Sequence, residues 1–265
     1  MRNRTLDLSL LEMLGVYALA LVPLALVAVL RLGIVRDTVT SVLRMTVQLA
    51  LVGLYLRFIF NLNSLWVNVL WILIMISVAN STVLGRTGLA RKHFFPMTFI
   101  GIGASTALVV CVFVCGLIHP SPLYDARYLV PISGMVLGNC MRGNVLSLER
   151  FFVGIRDREK EFVTYQMLGA TLSEATRPYL RDALRAALAP TLSTMATMGI
   201  VSLPGMMTGQ ILGGAFPLTA IKYQIAIMMC IFSGITLASV VNIFLCMTVA
   251  FDDYGMLRQD IWQAR

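Results

Sequence analysis

The chain has 265 residues, 58% of them hydrophobic and only 13% charged, with a mean hydropathy of +0.82. A soluble domain carries roughly 25% charged residues, so this composition excludes a water-soluble globule, a disordered chain and a disulfide scaffold. It leaves an all-α polytopic membrane protein whose first partner is the lipid bilayer. The net charge of +8 belongs to the charge bias of membrane edges. No nucleic-acid partner is expected, because neither basic–aromatic interleaving nor zinc-ligand spacing accompanies the charge.

A hydrocarbon core needs about 20 apolar residues per helix, and that length predicts seven spans in chain order. The first covers 13–30, with Glu12 at its edge; Ala18-Leu19-Ala20 lies in mid-run, which fits a span better than a cleaved signal. The second, 43–62, is interrupted by Arg44 and Arg57. The third is 65–85, and the fourth, 94–118, is bracketed by His93 and His119. The fifth, 128–148, carries Arg142 inside it. Residues 186–221 run without charge for longer than one helix needs and are broken at Pro204-Gly205; the last span is 223–251. Cys111, Cys115, Cys140, Cys230 and Cys246 all fall in apolar runs and read as small buried hydrophobes.

Arg2, Arg4, Arg57, Arg127 and Lys222 fall on one side of this arrangement. Arg31, Arg36, Arg44, Arg86, Arg91, Lys92, the seven basic residues from Arg150 to Arg185, Arg258 and Arg265 fall on the other. The heavier side is cytoplasmic by the positive-inside bias. The expected topology has the N-terminus outside, the C-terminus in the cytoplasm, and a multi-pass location in the cytoplasmic (inner) membrane.

The whole chain, 1–265, reads as one transmembrane domain with a charged cytoplasmic loop at about 149–185. That loop is punctuated as helix, glycine, helix. Glu161 opens a stretch with Phe162, Tyr165 and Leu168 on one face, and Gly169 ends it as a C-terminal helix glycine does. Thr171-Leu172-Ser173-Glu174 matches a capping box that starts the next helix. Beyond Pro178, Arg177, Arg181 and Arg185 recur opposite Leu180, Leu184, Ala187 and Leu188, an amphipathic face suited to a headgroup surface.

Catalytic chemistry is missing. The chain has three lysines, none after a glycine, so it holds no P-loop; no G-x-S-x-G elbow or H-E-x-x-H occurs, and no aspartate falls within a span. The scarcity of buried carboxylates argues against ion coupling. Energy would come from a partner pushing on the cytoplasmic loop.

Two motifs remain. Gly134 and Gly138 form a small-xxx-small pair followed by Asn139, Arg142 and Asn144, polar groups that suit a face meeting water or another subunit. The run Leu203-Pro204-Gly205-Met206-Met207-Thr208-Gly209-Gln210-Ile211-Leu212-Gly213-Gly214 reads as broken or re-entrant backbone. Such backbone is tolerated at membrane depth only against protein or a water-filled cavity, and broken segments there often form transport sites. Asn139, Arg142, Pro204, Gly205, Met206, Met207, Thr208, Gly209 and Gln210 are therefore the candidate pathway residues.

These motifs, with Leu168-Gly169-Ala170-Thr171, Glu174-Ala175, Arg185-Ala186-Ala187-Leu188 and Pro190, and Tyr223-Gln224, resemble the FetB-type permeases. That family supplies membrane subunits of ABC transporters; bacterial members are linked to iron export and plant relatives to aluminium tolerance. The resemblance covers about the last half of the chain. It implies a homodimer working with a separate ATPase subunit that holds ATP–Mg2+, no cofactor in this chain, and coupling through Glu161, Leu168, Gly169, Ala170, Thr171 and Glu174. A stand-alone channel or facilitator, lined by the 203–214 segment, is the alternative. The cargo stays open: hard metal ions want carboxylates, the spans carry almost none, and the thioethers of Met195, Met198, Met206, Met207, Met228 and Met229 serve packing as readily as ligation.

Overall fold

The computed structural model describes residues 9–252 and 254–262, so Arg2, Arg4 and Arg265 of the charge count lie outside the described residues. Among the described residues nine α-helices follow in chain order: α1 Leu10–Val29, α2 Val35–Leu62, α3 Leu65–Thr87, α4 Arg91–Phe113, α5 Ala126–Asp157, α6 Glu159–Met167, α7 Leu172–Thr197, α8 Gly205–Leu212 and α9 Pro217–Ala250. A π turn, Val114–Ile118, prolongs α4, and a 3-10 turn, Gln259–Ile261, closes the C-terminal segment.

Local chemistry sets the helix ends. Ser9 and Glu12 form a capping box at the start of α1, so Glu12 is a cap and not a group inside a span. Asn63 ends α2 in the left-handed region and accepts the Ala126 N–H at 3.0 Å, joining the end of α2 to the start of α5. Pro217 begins α9, where its missing N–H costs no helical hydrogen bond.

Among the described residues five helices are long and apolar enough to cross a membrane: α1, α2, α3, α4 with its π turn, and α9. The sequence predicts seven. α5 and α7 have 32 and 26 residues but are diluted by Asn139, Arg142 and Asn144 on α5 and by Arg181, Asp182 and Arg185 on α7. Within the charged stretch residues 149–157 prolong α5, and the expected helix, glycine, helix order follows as α6, Gly169 and the start of α7.

α5 lies at the centre, packed against α3, α4, α7 and α9, while α1 touches mainly α2 and leaves its apolar side chains outward. Cys140, Cys230 and Cys246 are buried as expected. Cys111 and Cys115 are exposed on the outer side of α4 and its π turn. At the charged end of the bundle aromatic contacts join four helices and the segment after α9. Phe94 meets Phe152 edge-on at 5.7 Å, and Phe162 of α6 meets Tyr179 at 6.2 Å and Phe251 at 5.8 Å.

Close helix approach does not use the expected glycine pair. A Cβ on Gly138 meets nothing within 4 Å, and one on Gly134 meets only the tip of Met75 at 3.2 Å. The tight positions are Gly143, against Ile235 of α9, and Gly101, whose missing Cβ leaves room for the Asn242 amide. Asn242 donates from Nδ2 to Asn144 Oδ1, and Asn144 donates to the Cys140 carbonyl at 2.8 Å, tying α9 to α5 in the interior. Gly101→Ala is therefore expected to destabilise the bundle by about 1–3 kcal/mol, the usual cost of overpacking. Thermal unfolding of the detergent-purified variant checks this; an unchanged midpoint would show that Asn242 moves aside freely.

Candidate functional site

Two clefts lie end to end along α5. The larger, about 660 Å3, is walled by α5 (Met135, Asn139, Arg142), α7 (Pro190, Thr191, Thr194), the start of α8 (Pro204, Gly205, Met206) and α9 (Gln224, Ile227, Met228), with Arg86 of α3 at its edge. The smaller, about 360 Å3, is bounded by Arg127, Tyr128 and Pro131 of α5, Gln210 of α8, and Thr219 and Tyr223 of α9. Both include Met135, Met206 and Ile227, and no other residue is common to them. Three apolar side chains from three helices thus stand where the clefts meet.

Helical periodicity explains the lining. Met135, Asn139, Arg142 and Leu146 recur every three to four residues and share one face of α5. The polar residues that dilute α5 are those facing the cleft or the interior: Asn139 and Arg142 line the cleft, and Asn144 is buried. On α8, Met206 and Gln210 are one turn apart and point inward together.

Of the expected pathway residues, Asn139, Arg142, Pro204, Gly205 and Met206 line the larger cleft, and Met206 and Gln210 the smaller. Met207, Thr208 and Gly209 line neither. The broken segment is a short helix between two turns, with Gly199 and Gly214 in the left-handed region at φ +87° and +93°. Met198, already a candidate thioether, and Gln224, from the Tyr223-Gln224 motif, also line the larger cleft. So do Met135, Thr191, Thr194 and Ile227, for which only an i, i+3, i+4 spacing common to every helix face gave a hint. Met195 packs in the apolar core instead, and Met229 faces outward. Among the described residues no group of three or more His, Cys, Asp or Glu side chains is placed to hold a metal ion.

The second feature is the elbow between α6 and α7. The Gly169 N–H bonds the Gln166 carbonyl at 2.9 Å and the Ala170 N–H bonds the Tyr165 carbonyl at 3.0 Å, with Gly169 at φ +88°. This is the Schellman arrangement that a glycine after a helix permits. Thr171 then caps α7. Its N–H and hydroxyl both donate to Glu174 Oε2, at 2.8 and 2.7 Å, while Glu174 N–H returns to the Thr171 hydroxyl at 3.4 Å. Only Phe162 of the expected α6 face is buried; Tyr165 is turned outward, where its hydroxyl donates to Glu161 at 3.1 Å. Leu168 falls in the cap beyond the last helical turn. Met167 and Leu168 are 82% and 80% exposed, an apolar tip beside Gly169.

The elbow is braced from behind. Arg158 pairs with Asp182 at 3.2 Å and lies 4.6 Å from the Tyr179 ring centre, and Gln166 donates to the Gly255 carbonyl at 2.9 Å. On α7 the buried face is Ala175, Thr176, Tyr179, Ala183 and Ala187, one step round from the leucine stripe expected; small residues let α7 lie close on α5, and Leu180, Leu184 and Leu188 are only half-buried.

The cap makes the elbow sensitive to acid. Hydrogen bonds from the Thr171 hydroxyl, and then from its backbone N–H, hold the Glu174 carboxyl below its ordinary range. A lowered folded-state value means that the ionised form stabilises the cap. That contribution is fully present above the ordinary carboxylate value and is lost as pH falls through the lowered one. Hydrogen exchange at residues 172–175, corrected for intrinsic rates, should therefore accelerate below about pH 4. Thr171→Ala should show the faster exchange already at neutral pH.

Five membrane-length apolar helices among the described residues define a multi-pass membrane protein. The chain belongs to the UPF0014 family, described as an uncharacterised protein family, whose model matches residues 10–251. It is similar to a UPF0014 membrane protein of Synechocystis, 38% identical over 74% of this chain and 76% of the relative. It is also similar to the protein ALUMINUM SENSITIVE 3 of Arabidopsis thaliana, 32% identical over 93% and 90%. A third relative is the probable iron export permease protein FetB of Escherichia coli, 32% identical over 86% and 88%. No solved structure matches the chain.

Proposed function

We propose that this chain is the permease subunit of an ABC transporter, with a separate ATPase subunit driving it from the cytoplasm. One observation carries the reading: α7 is a single helix that starts in the capped elbow and ends in the cleft wall. Thr171 sits at one end and Pro190, Thr191 and Thr194 line the cleft toward the other. Its 26 residues give about 39 Å of length, so a push on Met167 and Leu168 crosses only the hydrogen-bonded Gly169–Ala170 turn before one helix carries it to the cleft.

In this reading α5 and α7 also cross the membrane, which makes seven spans with the N-terminus outside and the C-terminus in the cytoplasm. The membrane is the cytoplasmic (inner) one. Two copies pair, each ATPase holds ATP–Mg2+, and this chain holds no cofactor. Outward transport follows the name of the iron export relative. Met135, Met206 and Ile227 form the barrier between a cytoplasmic cleft, near Arg142, and an outer one, near Arg127.

The test is reconstitution of the chain in liposomes with and without a candidate P-loop ATPase partner. ATP-dependent transport only by the pair supports the reading. Transport by the chain alone, without ATP, would instead establish a facilitator.

A further inference from the structure

The larger cleft has a chemical character that the transport reading leaves unused. Its wall contains two guanidinium groups, Arg86 and Arg142, and no carboxylate. Neither arginine has an acidic partner among the described residues; Arg142 bonds only the Gly138 carbonyl, at 3.4 Å. α8 directs its N-terminus into the same space, with Pro204, Gly205 and Met206 on the wall. No side chain caps that end, so its first N–H groups are unused and its dipole adds positive potential.

A fourth feature of the wall is an unsatisfied buried amide. Gln224 is only 7% exposed, lines the cleft, and has no partner for its Oε1. Its other amide atom reaches only the Met198 sulfur, at 3.9 Å. A buried amide with an unused end is costly unless something satisfies it. The unused atom here is the acceptor oxygen, and the amide serves an anion only when it turns about its last bond and presents its NH2 to the cleft. Arg86 also borders a neighbouring cleft with Arg44 and Arg91, lined by Gln48, Ser77, Ser81 and Thr82. The cationic lining thus continues outward from the central space.

Resting on the cleft being the cargo pathway, we propose that its ligand is a small oxyanion, a carboxylate- or phosphate-bearing molecule, and that any metal enters as a complex of net negative charge. A bare divalent or trivalent cation meets two unpaired positive charges and a helix N-terminus there. It finds none of the carboxylates that hard ions require. An anion finds guanidinium donors, free backbone N–H groups and an amide, the set that helix termini and arginines present to anionic groups elsewhere.

The test is binding to the purified full chain in lipid nanodiscs, measured calorimetrically with citrate, ferric citrate and ferrous ion alone as probes. Citrate, ferric citrate or both are expected to bind, more weakly as salt rises. Arg142→Gln and Arg86→Gln should each weaken binding about tenfold or more, the worth of a charged hydrogen bond, while Arg142→Lys retains part of it and reports on folding. Equal binding of citrate with and without iron identifies an organic anion; binding of ferric citrate alone identifies a metal complex. Ferrous ion bound alone, with an affinity unchanged or raised by Arg142→Gln, overturns the proposal, and so does failure of both anions to bind. The measurement needs neither ATP nor an ATPase, so its failure and failure of the transport reading are separate results.

Discussion

Replacing Gly169 with valine should abolish ATP-driven transport while leaving the helices of the bundle folded. Gly169 sits at φ +88° and its absent Cβ would meet nothing within 4 Å, so the effect is conformational and not steric crowding. A β-branched residue in that region is a genuine outlier, and the strain is on the order of 1–3 kcal/mol. The cheapest relief is to break the two hydrogen bonds that close α6, those of Gly169 to Gln166 and Ala170 to Tyr165. Met167 and Leu168 would then lose their fixed position ahead of α7, and a partner pushing on them would move a loose segment instead of a helix. Asparagine tolerates the left-handed region, so Gly169→Asn should keep most activity. The check is ATP-driven transport by the reconstituted pair, with circular dichroism on the same samples. Full transport by the valine variant would remove the elbow from the drive.

The second large effect is expected at the barrier. Met135→Ala with Met206→Ala removes two of the three side chains common to the clefts of about 660 and 360 Å3. Ile227 alone does not span the gap between three helices, so the double variant should leak its cargo from loaded liposomes without ATP. Met206→Trp should do the opposite and cut transport at least tenfold by wedging the same point. Both methionines are only half-buried, which limits the cost of either change to the fold. A double-alanine variant that stays tight would place the barrier elsewhere.

The elbow was legible in the sequence because its signals are local. Gly169 and the Thr171–Glu174 pair act over three or four residues, and each makes the hydrogen bonds that its spacing predicts. Leu168 was misplaced for the same reason. The face it shares with Phe162 exists only while the helix continues, and α6 stops at Met167. The cleft was half legible. Arg142, Asn139 and the 204–206 turn stand out because polar or broken backbone in an apolar run needs an explanation. Met135, Ile227 and Met228 do not, since an apolar residue on an apolar helix looks the same whether it faces lipid, core or cavity.

Composition, periodicity and caps were enough to read a helical membrane protein, the bounds of α1, α3 and α4 with its π turn to within a few residues, and a charged stretch turned at one glycine. Those properties follow from composition, periodicity and caps, which depend on near neighbours alone. Which face of α5, α8 and α9 turns inward was settled by packing between distant parts of the chain. The tertiary structure placed the close packing at Gly101 and Gly143 and not at Gly134 and Gly138, and it ran one helix from the elbow to the cleft. Those outcomes depend on how side chains from distant parts of the chain fill space together, and no single helix carries that information.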